Sequence, residues 1–335
     1  MKYNYSLSVI TPVHVGDGDS YTKKEYYLTP REDKKPIKFI NRINLNTYID
    51  NLFEEEQDKF FHDIKDENFQ LKKNKFNIEK SKVYHSIENT IKKNGKLAHP
   101  TTIDSMIKNN QNKAYIPGSS IKGSIKTAIT YDFLKKENNQ LKKEDYNTIV
   151  KSNKIQDLMS RIIISDTTTA KNLYTIKPKS ITLKGKNDKR CNDDDKKQDM
   201  YNAIECIKKD KLNLNIQLKN IKMDKIKKTL YYFSYDYIEH ELNFYSKIKN
   251  SEKTIKCYEH LKKNNTEDYP LIRIGGSTGL LSTTIALHIK NNNINLYKTL
   301  FKDKDGKDVD ENFPKIRKLT ANNQPFGWCR LRPVE

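Results

Sequence analysis

Tyr3, Tyr5, Leu7 and Val9 alternate with more polar residues, which predicts a strand over residues 3–10 that stops at Thr11-Pro12. Residues 13–18 (Val-His-Val-Gly-Asp-Gly) follow as a loop with two glycines. Residues 25–28 and 37–40 read as a hairpin around a charged tip. Leu45, Ile49, Leu52 and Phe53 fall on one face of a helix over 44–65. From about residue 66 to 112, Lys and Asn dominate and the periodicity fades. That stretch is expected to be an insertion carrying short helices.

The second half is more strongly patterned. Behind the turn dipeptide Pro117-Gly118, Ile121, Ile125, Ala128, Ile129 and Phe133 recur at helical spacing, with Ser119 or Ser120 as the natural N-cap. Residues 161–166 form a continuous apolar run suited to a central strand. Residues 184–200 are highly charged and expected to be mobile. Leu212, Leu214, Ile216 and Leu218 alternate strictly, which predicts a strand, and residues 224–249 fit a long helix rich in Tyr and Phe. A short strand over 271–274 leads into Gly275-Gly276-Ser277-Thr278-Gly279, and a helix of about ten residues follows. Asp305-Gly306 is a hairpin-turn signal, and residues 325–332 read as a closing strand. Strands interleaved with helices predict an α+β protein built of ferredoxin-like (RRM-like) units.

Composition adds a direction. The 335 residues have room for two domains. They carry 63 basic against 43 acidic side chains, a formal charge of +20. So basic a chain usually meets nucleic acid or another anionic surface. All but eight of the basic residues are Lys, however, and Asn, Ile and Tyr are abundant, a bias that an AT-rich genome also produces. The four cysteines, Cys191, Cys206, Cys257 and Cys329, form no C-x-x-C pair, so neither a zinc site nor a disulfide framework is indicated. No metal or other cofactor is expected. The N-terminus lacks a signal-peptide core and no stretch is long enough to span a membrane, which predicts a cytoplasmic protein with no membrane contact.

The start of the 118–136 region could hold phosphate. A helix N-terminus offers free N–H groups and the positive end of the dipole. Ser119 and Ser120 add hydroxyls there, and Lys122 and Lys126 add charge on one face. Gly123 costs about 1 kcal/mol against Ala within a helix, which close approach by a ligand or another backbone would explain. An ordinary capped helix with solvated lysines fits the segment equally well. His14 could act as a general acid or base, contact RNA, or simply order its loop.

Other patterns fail on inspection. Gly275-x-Ser277-x-Gly279 matches a hydrolase nucleophile elbow, but His288 is the only later histidine and no acid lies between it and Ser277. The P-loop reading of Gly118-x-x-x-x-Gly123 lacks its lysine, since Ser124 stands in that place. Asp193-Asp194-Asp195 reads as a solvated cluster, and Gly306 is misplaced for a calcium loop around Asp303, Asp305, Asp308 and Asp310.

Three segments in this order, Thr11-Pro12-Val13-His14-Val15-Gly16-Asp17-Gly18, Ile116-Pro117-Gly118-Ser119-Ser120-Ile121-Lys122-Gly123 and Gly275-Gly276-Ser277-Thr278-Gly279, resemble the RAMP proteins of type III CRISPR systems. The match is best to the terminal subunit of the Csm (type III-A) effector complex. The resemblance implies RRM-like domains: an N-terminal one over 1–222 with the helical insertion around 44–112, and a C-terminal one over 223–335 with the Gly-rich loop. It implies a non-catalytic protein with no catalytic residue, bound near the 3′ end of the guide RNA and supporting guide maturation in antiviral defence. The implied partners are the guide, the repeating backbone subunit and host maturation nucleases. RNA contacts are carried onto His14, Gly16, Gly18, Ser119, Ser120, Lys122, Gly123, Lys126, Arg273, Gly275, Gly276, Ser277 and Gly279. The alternative is a metal-independent endoribonuclease that processes guide precursors, with His14 as base and Lys122 as the cation. Residues 161–166 lack the aromatics with which a typical RRM sheet reads bases, so contact through loops and helix ends fits better.

Overall fold

The computed structural model describes residues 1–30, 38–71, 83–93, 96–97, 100–136, 143–183, 202–303 and 306–334. Two sheets dominate. Strict alternation drives the first: in β13 (Lys211–Leu218), Leu212, Leu214, Ile216 and Leu218 are buried while Lys211, Asn213, Asn215 and Gln217 are exposed. One face is therefore packed and the other wet. β13 pairs antiparallel with β1 (Lys2–Val9) and β9 (Ile162–Ile164). β16 (Trp328–Pro333) lies on the far side of β1, and β14 (Leu271–Arg273) lies outside β16, also antiparallel. The order is β14-β16-β1-β13-β9. Strands on both sides of the expected division at residue 222 thus share this sheet.

Two long helices share a core with it: α3 (Gly118–Lys136) through Ile121, Ile125 and Ala128, and the Met223–Ser246 helix through Ile226, Leu230 and Phe233. Tyr131 meets Phe233 edge-on at 5.1 Å and donates to Asp236 at 2.9 Å, which locks the helices together. Each fully buried Leu or Ile contributes about 1.5–3 kcal/mol.

The second sheet is mixed, in the order β2 (Gly16–Thr22), β8 (Thr102–Met106), β12 (Asn202–Ile207), β10 (Leu173–Ile176), β5 (Val83–Asn89), β4 (Lys38–Ile43), β3 (Tyr26–Pro30). Two short ladders complete the strands: β6 (Lys92–Lys93) with β7 (Lys96–Leu97), and β11 (Lys179–Thr182) with β15 (Ile316–Leu319). The whole is α+β.

Several expectations change. The stretch 66–112 supplies β5 and β8 rather than only short helices; their partners β2, β4, β10 and β12 are distant in sequence. The 44–65 helix breaks into α1 (Leu45–Asp50) and α2 (Glu54–Asp63), where the Phe53 N–H donates to the Glu56 carboxylate at 3.0 Å. β9 is an edge strand, not a central one, and Ile163 is 47% exposed. Three apolar residues in a row do not distinguish an edge from a centre. Gly16 starts a strand rather than lying in a loop. The helix after Gly279 is two pieces, Leu280–Thr283 and Ala286–Asn292. The charged run at 184–200 and the turn residue Asp305 lie outside the described residues. Among the described residues, no helix is long and apolar enough to cross a membrane.

Candidate nucleic-acid interface

The chain crosses between the sheets twice in one place. Residues 10–15 carry it from β1 to β2, and residues 208–210 carry it back from β12 to β13. Val13 and Ile207 bridge these crossings by reciprocal backbone bonds of 3.0 and 2.9 Å. One residue on, His14 Nδ1 lies 2.8 Å from the Glu205 carbonyl oxygen. A carbonyl only accepts, so Nδ1 donates and carries the proton.

The Gly-rich loop closes over this seam. The Gly276 N–H donates to the His14 carbonyl at 2.7 Å. Gly275 has φ +90°, and a Cβ there would run into the same carbonyl oxygen. Only glycine tolerates both demands. The last strand laces the seam from the other side: the Gly327 N–H donates to Pro12 O at 2.8 Å and the Trp328 N–H to Thr11 Oγ1 at 2.9 Å.

Beneath His14 lies a carboxylate with no exposure, Glu205. It accepts from the Tyr21 hydroxyl at 2.7 Å and from the Met106 N–H at 2.8 Å, and forms an ion pair with Lys108. Lys108 also donates to Ser105 Oγ and Met106 O, each at 3.0 Å. Burial, and then Glu205, push the Tyr21 phenol well above its ordinary range, so it stays a donor. Paired this way, a buried charge is tolerated; stripped of a partner it is strongly destabilising.

The third segment joins through α3. The helix begins at Gly118, one residue before the serines expected to cap it, and the Gly118 N–H donates to Asp166 Oδ1 at 2.8 Å. A carboxylate therefore sits where the sequence suggested a serine cap or a phosphate, and it satisfies part of the helix-end field. Gly118 is the close-packed glycine: a Cβ there would lie 2.7 Å from Ser165 O. Gly123 is exposed, and among the described residues no other element comes within 4 Å of a built Cβ there. Ser124 Oγ donates to Arg273 O at 2.8 Å, and Thr127 Oγ1 to Thr283 O at 3.2 Å. These bonds fasten α3 to the strand before the Gly-rich loop and to the short helix after it.

The three segments thus gather at one place. Gly16, Gly18, Ser119, Gly123, Lys126, Gly276 and Gly279 are exposed there, and Ser120, Lys122, Gly275 and Ser277 are half-buried. Arg273 differs from expectation. It is 5% exposed, donates to Phe326 O at 2.9 Å and to the Tyr237 hydroxyl, and lies between the Tyr237 and Trp328 rings. Its guanidinium is occupied inside the protein.

Sequence reading missed Glu205, Lys108, Tyr21 and Asp166. The signal for Glu205 was present: a lone acid in the apolar run Ala203-Ile204-Glu205-Cys206-Ile207 has to find buried partners.

Comparison with known proteins bears on the same segments. The sequence profile of the RAMP superfamily matches residues 6–280. A protein of Methanocaldococcus jannaschii named as the CRISPR system protein Csm5 is 26% identical, over 98% of this chain and 88% of its own length. A chain of a cryo-EM Csm–crRNA–target RNA ternary complex of a type III-A CRISPR-Cas system superposes with a TM-score of 0.71 at 19% identity, covering 99% of this chain and 100% of its own. The crystal structure of T. onnurineus Csm5 gives 0.61 at 16% identity, covering 97% and 99%. At those identities the two structures establish a shared fold. With a profile match spanning β1 to the Gly-rich loop, and the loops it joins meeting at His14, the chain belongs to the RAMP superfamily.

Proposed function

We propose that this chain is a non-catalytic RNA-binding subunit of a type III-A CRISPR (Csm) effector complex. In this reading it sits near the 3′ end of the guide RNA, caps the backbone filament and supports guide maturation in the cytoplasm. The observation that carries it is the convergence of the loop at His14, the start of α3 and the Gly-rich loop into one exposed cluster. The +20 charge, the M. jannaschii relative and the Csm-complex neighbour support it. Proposed contacts are His14, Gly16, Gly18, Ser119, Ser120, Lys122, Gly123, Lys126 and the 275–279 loop, with backbone N–H groups and lysines meeting phosphates. The guide, the repeating backbone subunit and maturation nucleases are the proposed partners.

The five-stranded sheet supports a ferredoxin-like reading of the core. Taken as β1, α3, β9, β13, the Met223–Ser246 helix and β16, its elements run βαββαβ with sheet order 4-1-3-2. That core takes strands and a helix from both sides of residue 222, so it does not divide there into a 1–222 unit and a separate 223–335 RAMP-like unit. The exposed side chains of β13 are Lys211, Asn213, Asn215 and Gln217, which favours loop contacts over base stacking on the sheet.

Binding and cleavage of end-labelled repeat RNA test the reading together. RNA should bind with log affinity falling linearly with log salt, at roughly −0.7 per phosphate contacted. It should stay intact with or without divalent metal. Discrete cleavage abolished by His14→Ala would overturn the non-catalytic role and establish the endoribonuclease.

A further inference from the structure

The orientation of the His14 ring fixes what it can recognise. Nδ1 is committed as a donor to the Glu205 carbonyl at 2.8 Å. In the neutral ring the other nitrogen, Nε2, then carries a lone pair and can only accept. Nε2 makes no hydrogen bond among the described residues, and His14 keeps 9% of its exposure. Two glycines clear its edge. A Cβ at Gly16 would stand 3.1 Å from Nε2, and one at Gly276 would stand 3.2 Å from the adjacent Cδ2. Both glycines are exposed. The ring is therefore a fixed acceptor in a slot walled by bare backbone.

Its support is rigid. The Glu205 main chain belongs to β12, and the Glu205 carboxylate is held by Tyr21, Met106 and Lys108. The His14 carbonyl is held from the opposite side by Gly276. A ring held at Nδ1 on a backbone that is itself pinned loses little entropy when it binds.

We propose that His14 Nε2 accepts a hydrogen bond from a ribose 2′-hydroxyl, so that this slot distinguishes RNA from DNA. The inference rests on the RNA-binding reading above. The slot needs a donor, and the 2′-hydroxyl is the one donor that every ribonucleotide presents along its sugar edge. Glycine walls admit a sugar–phosphate edge and offer no aromatic surface on which a base could stack.

The test compares one single-stranded sequence as RNA, as DNA and as 2′-O-methyl RNA, against wild type and His14→Phe. Losing one hydrogen bond to a fixed acceptor lowers affinity about fivefold to tenfold. Wild type should prefer RNA over both analogues by about that factor. His14→Phe should bind all three alike, near the wild-type affinity for DNA. Nitrogen NMR of the free protein checks the tautomer independently of any ligand and should find the proton on Nδ1. A proton on Nε2, or equal wild-type affinity for RNA and DNA, overturns the inference while leaving RNA binding in place. Failure of wild type to bind any of the three strands overturns the RNA-binding reading itself.

Discussion

The Gly276 N–H donates to the His14 carbonyl oxygen at 2.7 Å, and this bond joins the first loop of the chain to the Gly-rich loop near its end. Its geometry depends on the neighbour. Gly275 combines φ +90° with a Cβ position filled by the His14 carbonyl. Gly275→Ala should therefore cost at least about 2 kcal/mol, from left-handed strain plus the clash. Gly279 has φ +86° but open space around a built Cβ, so Gly279→Ala should cost only about 1 kcal/mol. Thermal melting of both variants gives the comparison. Equal losses would mean that the His14 contact constrains nothing.

Gly123 and Gly118 should respond in opposite directions. Gly123 lies in the exposed face of α3 with nothing within 4 Å of a built Cβ, so Gly123→Ala should stabilise the protein by up to about 1 kcal/mol. If RNA approaches that face, the same substitution lowers RNA affinity while raising the melting temperature. Gly118→Ala should destabilise, because its Cβ would meet the backbone of Ile164 and Ser165. A gain in both stability and affinity for Gly123→Ala would remove Gly123 from the interface.

The buried pair under His14 should show strong coupling. Lys108→Met leaves the Glu205 carboxylate buried beside Tyr21 and Met106 with its cation gone, at a cost of about 3–5 kcal/mol. Adding Glu205→Gln removes the buried charge that Lys108 balanced and should recover a large part of that loss. Urea melts of the two single variants and the double variant measure the coupling. Strict additivity would show that the ion pair does not hold the seam.

Acid should weaken the fold through His240. Burial pulls its pKa from 6.5 down to about 4. Between those values the unfolded chain binds a proton that the folded chain refuses, so stability falls as pH drops from about 6.5 to about 4. The contribution is complete above that window and is at most about 3 kcal/mol. Burial lowers His288 in the same direction. Denaturant melts across the window should slope less in His240→Gln than in wild type, and an unchanged slope would exonerate His240.

The sequence revealed the parts of the fold where the pattern is local. Strict alternation in Leu212–Leu218 and helical spacing behind Pro117-Gly118 both became the expected elements. The second sheet was hidden because β5 and β8 are short, polar strands whose partners lie far off in sequence. At the candidate site, the glycine motifs pointed to segments that meet in the fold, but not to the reason for the glycines. Gly118 and Gly275 prove to be glycines because backbone atoms of Ile164 and His14 occupy the Cβ position. Such contacts exist only after folding. Arg273 shows the converse error: beside a Gly-rich loop it read as a ligand contact, yet its guanidinium is buried against Tyr237 and Phe326.

The central proposal, an RNA-binding subunit at the guide 3′ end, is tested most directly by photo-crosslinking within the assembled complex. A guide RNA carrying a photoreactive nucleotide at successive positions would be assembled with this chain and its partner subunits, and the linked residues mapped by mass spectrometry. The account predicts crosslinks to this chain from the 3′ portion of the guide alone, falling in residues 14–18, 119–126 and 275–279. Crosslinks from the 5′ end, or an assembled complex in which this chain links to no guide position, would contradict it.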